Sequence, residues 1–469
     1  MLEREMTVNT KAEKAMIVIL MAAILLGGYP IGGFYFVVYG IGITLYRVLI
    51  PIIFLYFFGK RIMKGISLEF YGRFYFLFMG FLIFWCAWGT VFWKISDFSE
   101  YLVGANDIVG IFMGMLSIFS LYEAAKTKYG FKIMVNTVRI LVVAITLIGV
   151  VELGIGEHLS TSKFCDGEYV DPIRKAVEGT YPGRLRFYYA TGIFYNVNDL
   201  CAFLAVFSPL FFPQQGQKRS IKLLFLLELV MMILIISKDD AWFSVMGIIA
   251  AGITYLLVTK AKLFTWIGTV ASFMVIKYFI VKVFYYIVYG IYLLIPGKEV
   301  PYAISLTVGE KISDESFQAV LRAQLASAKL EQGSFYTRWS TYVESVKDFF
   351  LDSYGVGFGP ASFSNYMLEK NSSALLLNPH CFWIEVMFQY GLIVFVGFVA
   401  LLLYGFIRLV KKYRETGRVE YALIMAMDMG LVFASFAPSS FLGYEYLWLP
   451  IGLTLAFSTI TLEKQKGKR

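Results

Sequence analysis

Apolar runs of about 17 to 25 residues recur along the whole chain, and they restrict its fold more than any other feature. A helix of that length crosses the roughly 30 Å hydrocarbon core of a bilayer. Barrel strands would alternate apolar and polar residues instead. Hydrophobic residues make up 58% of the 469 positions and charged residues only 16%. The sequence therefore predicts an all-α, polytopic transmembrane helical bundle.

Twelve such runs are present, and we predict a membrane-spanning helix for each. Nine lie within residues 1–281, which also contain an outer loop at 154–196. Residues 282–380 form a large extracytoplasmic loop, and residues 381–469 hold the last three helices and a tail. The runs cover residues 15–32, 35–58, 74–93, 103–122, 134–153, 197–213, 223–237, 241–258, 263–281, 381–407, 421–441 and 446–461.

The positive charges orient these helices. With the N-terminus in the cytoplasm, about twenty-one Lys and Arg of the short loops and tail lie inside, against Lys94 and Lys238 outside. Cytoplasmic loops carry such an excess. We therefore expect a multi-pass plasma (inner) membrane protein with both termini cytoplasmic and a retained first helix. The net charge of +9 is then an orientation signal, and no nucleic-acid partner is expected.

The large outer loop carries helical patterns of its own. Residues 316–330 and 335–350 each place apolar side chains on one helical face. We expect these helices to lie flat on the outer end of the bundle, in contact with membrane lipids. Residues 281–296 are apolar, short and rich in Tyr, which leaves an interfacial helix and a re-entrant segment open.

His380, where this loop meets the tenth predicted helix, is a candidate proton acceptor because imidazole titrates near neutral pH. The alternative is that Asn378, Pro379 and His380 only start a helix. Arg338 lies in the predicted helix at 335–350, where Glu344 and Asp348 offer it ordinary ion pairs.

Three motifs carry a family resemblance. The segment GVGFGPASF is followed by NPHCFWIEVMFQYGLI, and TGIFYNVNDLCAFL precedes both. Together with Arg338 in SFYTRWSTY, they resemble the signatures of the O-antigen ligase and O-antigen polymerase superfamily. Two departures are Cys381, where the family usually has Asn, and Lys238, where it has Arg. The residues that carry the match include Gly355, Gly357, Gly359, His380, Trp383, Gln389, Gly391, Leu392 and Ile393.

The resemblance implies a glycosyltransferase of the outer membrane face in cell-surface polysaccharide synthesis. It would move a glycan from a polyprenyl (undecaprenyl) diphosphate carrier to a hydroxyl of an acceptor glycan or lipid, by inversion and without a metal or other cofactor. A chain-length regulator is a further partner to consider. His380 and Arg338 would be catalytic. The substrate would be bound by Arg184, Arg186, Asn198, Asp199, Gly355, Gly357 and Gly359.

Two other functions stay open from the residues alone. A transporter or flippase of polysaccharide precursors would need polar midplane residues and related halves. A metal-dependent membrane glycosyltransferase would use Asp239 and Asp240, although adjacent carboxylates seldom point the same way. Asn196, Asn198 and Asp199 are also good helix N-caps. Four charged residues fall within apolar runs, and the sequence leaves open whether they line a substrate groove or lock the helices of the bundle together: Arg47, Asp107, Glu228 and Asp428.

Overall fold

A computed structural model gives the fold of most of the chain. Arg184, Arg186, Asp240 and the predicted helix at 316–330 lie outside the residues it describes. The described residues are 10–27, 35–38, 41–63, 65, 71–127, 129–156, 159, 190–194, 196–214, 216–239, 241–259, 263–297, 300, 304, 308, 334–370, 378–438, 442 and 444–460.

This part of the chain is mostly helical, with one antiparallel β-hairpin. Two short 3-10 helices, Ser208–Phe211 and Glu445–Leu447, accompany the α-helices. The hairpin strands are β1 (Tyr35–Val38) and β2 (Ile41–Thr44). The α-helices are α1 (Lys11–Leu26), α2 (Leu45–Met63), α3 (Arg73–Ile95), α4 (Tyr101–Ala125), α5 (Gly130–Ile155), α6 (Val197–Phe207), α7 (Arg219–Lys238), α8 (Trp242–Val258), α9 (Leu263–Leu293), α10 (Ser334–Leu351), α11 (Phe363–Lys370), α12 (Phe382–Thr416), α13 (Val419–Ala434) and α14 (Trp448–Thr459).

Each of the twelve predicted runs overlaps one of these helices, but several boundaries differ, as in α12, which continues past residue 407 to Thr416. The run at 35–58 begins with the β-hairpin, in which Tyr35 pairs with Thr44, and only then becomes α2. Helix α9 continues through residue 281 to Leu293, so the predicted loop boundary at 282 falls inside a helix. Much of residues 281–296 is therefore the end of α9. The predicted amphipathic helix at 335–350 is confirmed as α10.

Six of the described helices are long and apolar enough to cross a membrane, by length and composition. Their outward faces fit this reading. In α7, Leu223 and Leu224 are 67% and 64% exposed, whereas Met232 is fully buried. Large apolar side chains on an outer surface cost little when lipid is the solvent. The six are α3, α4, α5, α7, the Val275–Leu293 part of α9, and α12.

The interior of the bundle is formed around α13 and α14. Helix α13 packs against α6 and α8, while α14 packs against α4. Trp448 fills the space beside Gly114 of α4, where a Cβ would lie 2.2 Å from the indole. Many polar side chains collect at the end of the bundle where α3 and α13 finish and α4 and α12 begin. We call this the site end.

Candidate functional site

His380 lies just before α12 at the site end, in a backbone conformation that its neighbours hold in place. Its φ is 46°, a left-handed value that costs energy for a residue with a side chain. The Tyr342 hydroxyl of α10 donates a 2.7 Å hydrogen bond to the His380 carbonyl oxygen. The Phe382 amide donates a 3.0 Å bond to the Ser435 carbonyl at the end of α13. Contacts from α10 and α13 therefore fix the position of His380.

Arg338 reaches the same place from α10, one helical turn before Tyr342. Its Nη1 atom lies 3.5 Å from the carbonyl oxygen of Phe436. The His380 imidazole hydrogen-bonds the backbone of Ala437, the residue that follows Phe436. Asp348, offered by the sequence as an ion-pair partner for Arg338, is instead 2.6 Å from the Lys370 ammonium. The structure thus brings together the two residues that the sequence predicted to be catalytic.

The electrostatics of this pair keep the imidazole neutral at pH 7. Burial, and then the Arg338 charge, lower the pKa of His380 from 6.5 to about 4, while the bond to Ala437 raises it slightly. Nδ1 of His380 is buried and has no hydrogen-bond partner among the described residues. Because the backbone bond raises the pKa, the imidazole donates it, which leaves Nδ1 as the proton acceptor. Burial also lowers the pKa of the Arg338 guanidinium.

The glycine-rich segment has the predicted tight turns, with φ of 80° at Gly355, 101° at Gly357 and 97° at Gly359. It packs against a break in α12 at Gly391, whose φ and ψ are 88° and 171°. There the Phe358 and Gly359 amides donate 2.9 Å hydrogen bonds to the carbonyls of residues 388 and 389. The break at Gly391 deprives the carbonyls just before it of their hydrogen bonds within the helix, and the glycine-rich segment replaces those bonds.

The contact between this segment and α12 is backbone against backbone. A Cβ on Gly357 would lie 2.7 Å from the Gly391 nitrogen, and one on Gly391 would lie 2.1 Å from the Val356 oxygen. Gln389 is seven residues into α12, about 10 Å along the axis from its first residue. In the described structure the three predicted substrate-binding glycines therefore support α12, at a distance from His380.

The predicted polar entry to α6 is confirmed as a helix cap. Asn196 is the N-cap, and its side chain accepts a 2.9 Å hydrogen bond from the Asn198 amide. Asn198 itself is half-buried. Asp199 is buried, and its carboxylate accepts a hydrogen bond from the Tyr444 hydroxyl. Asp199 therefore joins α6 to the segment that precedes α14.

Asp239, the described member of the predicted metal pair, braces the chain in front of α6. Its carboxylate accepts hydrogen bonds from the Ala190 amide (3.3 Å) and the Cys201 thiol (3.4 Å). Glu152 does the same for the Thr191 and Gly192 amides, at 3.1 and 2.8 Å. No group of three or more His, Cys, Asp or Glu side chains placed to hold a metal occurs among the described residues, which exclude Asp240.

Sequence reasoning did not connect several further polar residues with the site end. Arg47 begins α2 and donates 2.7 Å bonds to the Gly42 carbonyl and the Asn106 side chain. Asp107 accepts a hydrogen bond from the Ala361 amide, and Glu385 is buried in the first turn of α12. A carboxyl at the start of an otherwise apolar helix was the available signal for Glu385.

The other two intramembrane acids lie within the bundle. Asp428 of α13 accepts bonds of 2.8 and 2.7 Å from the Thr454 hydroxyl of α14. Glu228 of α7 is 2% exposed and faces Thr146 of α5. Both acids face a neighbouring helix, which is the helix-locking role that the sequence left open.

Comparison of the chain with protein-family models and with curated proteins found no match.

Proposed function

We propose that this protein is a glycosyltransferase of the outer membrane face. It takes a glycan from a polyprenyl diphosphate carrier and joins it to a hydroxyl of an acceptor glycan or lipid. The observation that supports this most is the meeting of Arg338 and His380 at residues 436–437. A guanidinium beside a neutral imidazole provides an anion-binding group and a base for one transfer step.

The proposal includes the membrane arrangement. Twelve helices cross the plasma membrane, with both termini in the cytoplasm and the site end outside. Six helices meet the length and composition for a span, and shorter apolar helices such as Trp242–Val258 pack among them. The helix ends that this arrangement assigns to the outer face lie together in the described structure. The start of α4, the end of α3 and the glycine-rich segment share hydrogen bonds such as that from Ser99 to the Pro360 carbonyl.

In the proposed reaction, Arg338 binds the diphosphate through its guanidinium and stabilises the negative charge that develops on it. The acceptor hydroxyl oxygen attacks the anomeric carbon from the opposite face and forms the new glycosidic bond. Its proton passes to Nδ1 of His380 as the bond from the anomeric carbon to the diphosphate oxygen breaks. Polyprenyl diphosphate leaves with the bonding electrons, and the anomeric centre is inverted.

The remaining predicted residues have supporting roles in this proposal. Arg184 and Arg186 add positive charge for the diphosphate or for lipid phosphates. Asn198 and Asp199 shape the acceptor side at the start of α6. Gly355, Gly357 and Gly359 hold α12, and with it His380, in position. The chain itself supplies all the groups that the reaction uses, so the proposal includes no cofactor.

The two alternative functions have less support. Transporters use broken helices to expose backbone carbonyls to a substrate cavity. Here the carbonyls of Phe388 and Gln389 at the break already accept hydrogen bonds from the glycine-rich segment. The metal-dependent alternative needs the Asp239 carboxylate, which already holds Ala190 and Cys201.

The test uses purified full-length protein in lipid nanodiscs with a diphosphate-linked oligosaccharide. General-base catalysis contributes about 10²- to 10⁴-fold, so His380→Ala is expected to lose at least about 100-fold in turnover. His158→Ala, which changes the only other histidine, is the matched control and should keep wild-type turnover. Unchanged turnover in His380→Ala would remove the assignment.

The same assay separates the finer alternatives. A ladder of products indicates a polymerase, whereas a single adduct indicates a ligase. Addition of a chelator should leave turnover unchanged, and loss of activity would support the metal-dependent reaction instead. Arg338→Lys keeps the charge but loses the paired hydrogen bonds, and it should fall between wild type and Arg338→Ala.

A further inference from the structure

A cavity lies at the end of the bundle opposite the site end, beside the last turns of α12. Its volume is about 130 Å³, and its lining is formed by Arg408, Lys411, Lys412 and Glu415. One water needs about 10 to 15 Å³, so a group as large as a phosphate fits. The four side chains share one face of α12, because they are three or four residues apart.

Positive charge dominates the lining of this cavity. Arg408 and Lys411 both lie within electrostatic range of Lys412 and repel it, whereas Glu415 attracts it. Neither Arg408 nor Lys411 forms an ion pair with an acid in the part of the chain that the structure describes. The cavity therefore attracts a ligand that carries negative charge.

The Arg408 guanidinium is held in place at this cavity by contacts with three helices. Its Nε atom donates a 3.0 Å hydrogen bond to the Ser458 carbonyl near the end of α14. Its Nη1 atom lies 3.4 Å from the Tyr404 hydroxyl, one turn earlier on α12. The guanidinium carbon lies 5.9 Å from the ring centre of Phe74 at the start of α3. A guanidinium fixed in this way loses little freedom when it binds a phosphate.

The same face of α12 is apolar just before the cavity. Leu403 and Ile407 are eight and four residues before Lys411, and they are 57% and 62% exposed. Residues four apart in a helix are separated by about 6 Å along its axis. Tyr404, 45% exposed, lies between the apolar and the charged part, where tyrosine is common in membrane proteins. This order matches the acyl chains and the headgroup of a phospholipid.

We propose that the cavity binds the headgroup phosphate of an anionic phospholipid, whose acyl chains lie along Leu403 and Ile407. The phosphate contacts Arg408 and Lys411, and Lys412 adds positive charge. Basic clusters at the ends of transmembrane helices are typical binding sites for anionic headgroups. A zwitterionic lipid fits less well, because its own ammonium group would approach three cations. The bound lipid bridges α12 to the neighbouring ends of α3 and α14, so it stabilises the folded bundle.

The test measures the unfolding temperature of the detergent-purified full-length protein as phosphatidylglycerol or phosphatidylcholine is added. Phosphatidylglycerol should give a saturable rise beyond that with phosphatidylcholine, because a ligand that binds the folded state stabilises it. Arg408→Gln and Lys411→Gln should each raise the half-maximal phosphatidylglycerol concentration by about fivefold. Each variant in phosphatidylcholine is its own baseline, so loss of the Ser458 contact does not enter the comparison.

Arg414→Gln is the matched control. It removes the same charge from an exposed residue of the same helix, but Arg414 does not line the cavity. This variant should respond to phosphatidylglycerol as wild type does. If it loses the response as far as Arg408→Gln and Lys411→Gln do, general charge attraction explains the effect and the proposal is overturned.

Three other results would also overturn the proposal. The first is an equal rise with phosphatidylglycerol and phosphatidylcholine. The second is a phosphatidylglycerol response that persists unchanged in both Arg408→Gln and Lys411→Gln. The third is a saturable rise with millimolar inorganic phosphate as large as that with phosphatidylglycerol, which would show a site for free phosphate. No glycan substrate is used, so the result is independent of the proposed transferase activity.

Discussion

Replacement of Gly391 by Ala tests whether the break in α12 and the glycine-rich segment form one structural unit. Gly391 has a φ of 88° and a ψ of 171°, a conformation used almost only by glycine. A Cβ there would lie 2.1 Å from the Val356 oxygen and 3.3 Å from the Gly355 oxygen. Both obstacles are backbone atoms, so the whole segment has to move away from α12.

The cost of Gly391→Ala follows from these contacts. The disfavoured backbone conformation costs about 1 to 3 kcal/mol for a residue with a Cβ. Movement of the segment breaks three backbone hydrogen bonds, each worth about 1 kcal/mol. We therefore expect the free energy of unfolding to fall by about 4 to 6 kcal/mol. The three bonds run from Phe358 to Phe388, from Gly359 to Gln389 and from Leu392 to Gly355, each 2.9 Å long.

The measurement is thermal unfolding of the purified protein in detergent, followed by tryptophan fluorescence and by size-exclusion profile. Gly80→Ala in α3 is the matched control, because a Cβ there meets nothing within 4 Å. It should leave the unfolding temperature unchanged or raise it slightly, since Ala favours helix. Equal unfolding temperatures for Gly391→Ala and Gly80→Ala would refute the reasoning.

Three further predictions concern other contacts. In Arg338→Gln, the loss of the nearby charge raises the pKa of His380 above about 4, so the acid limb of the kcat/KM profile should move to higher pH; an unmoved limb would contradict the pairing. Lys370→Met leaves the buried Asp348 carboxylate without its 2.6 Å partner and should destabilise the protein by about 1 to 2 kcal/mol, more than Lys347→Met on the exposed side of α10. Thr454→Val removes the hydroxyl that binds Asp428 and should cost about 1 to 2 kcal/mol in chemical denaturation. Thr254→Val should cost less, since that hydroxyl donates to the Ala250 carbonyl of its own helix, and equal losses would argue against the link to Asp428.

Helix positions were predictable because apolar length is a local property of the sequence. Each of the twelve runs overlaps a helix, whereas the β-hairpin in the second run was missed because Tyr35–Val38 and Ile41–Thr44 are as apolar as the helix that follows. The end of α9 was missed for a related reason. Tyr residues near 285–292 indicated an interface, but they are compatible with a helix that continues to Leu293.

Individual site residues could be predicted where they belong to a sequence motif, but their proximity could not. His380 and Arg338 were chosen from sequence, but their meeting depends on the packing of α10 against α12, which no local pattern encodes. The break at Gly391 was equally hidden. Gly391-Leu392-Ile393 is compatible with an ordinary helix, and only the structure shows the Val356 oxygen 2.1 Å from where a Cβ of residue 391 would lie. Asp107 and Glu385 are 278 positions apart, and neither alone predicted that their carboxyls would interact.

The last prediction is that binding of the proposed donor raises the basicity of His380. Without substrate, burial and the Arg338 charge hold the pKa of His380 near 4, so its Nδ1 is a weak proton acceptor. A diphosphate bound to Arg338 places negative charge beside the imidazole and cancels part of the Arg338 effect. Because a nearby anion favours the imidazolium, the proposed reaction predicts that the pKa of His380 rises toward neutral pH when the donor binds. We therefore expect the imidazole to become an effective base only when the donor is bound. The acid limb for kcat should then lie at higher pH than the acid limb for kcat/KM, and coincident limbs would show that donor and imidazole are not coupled.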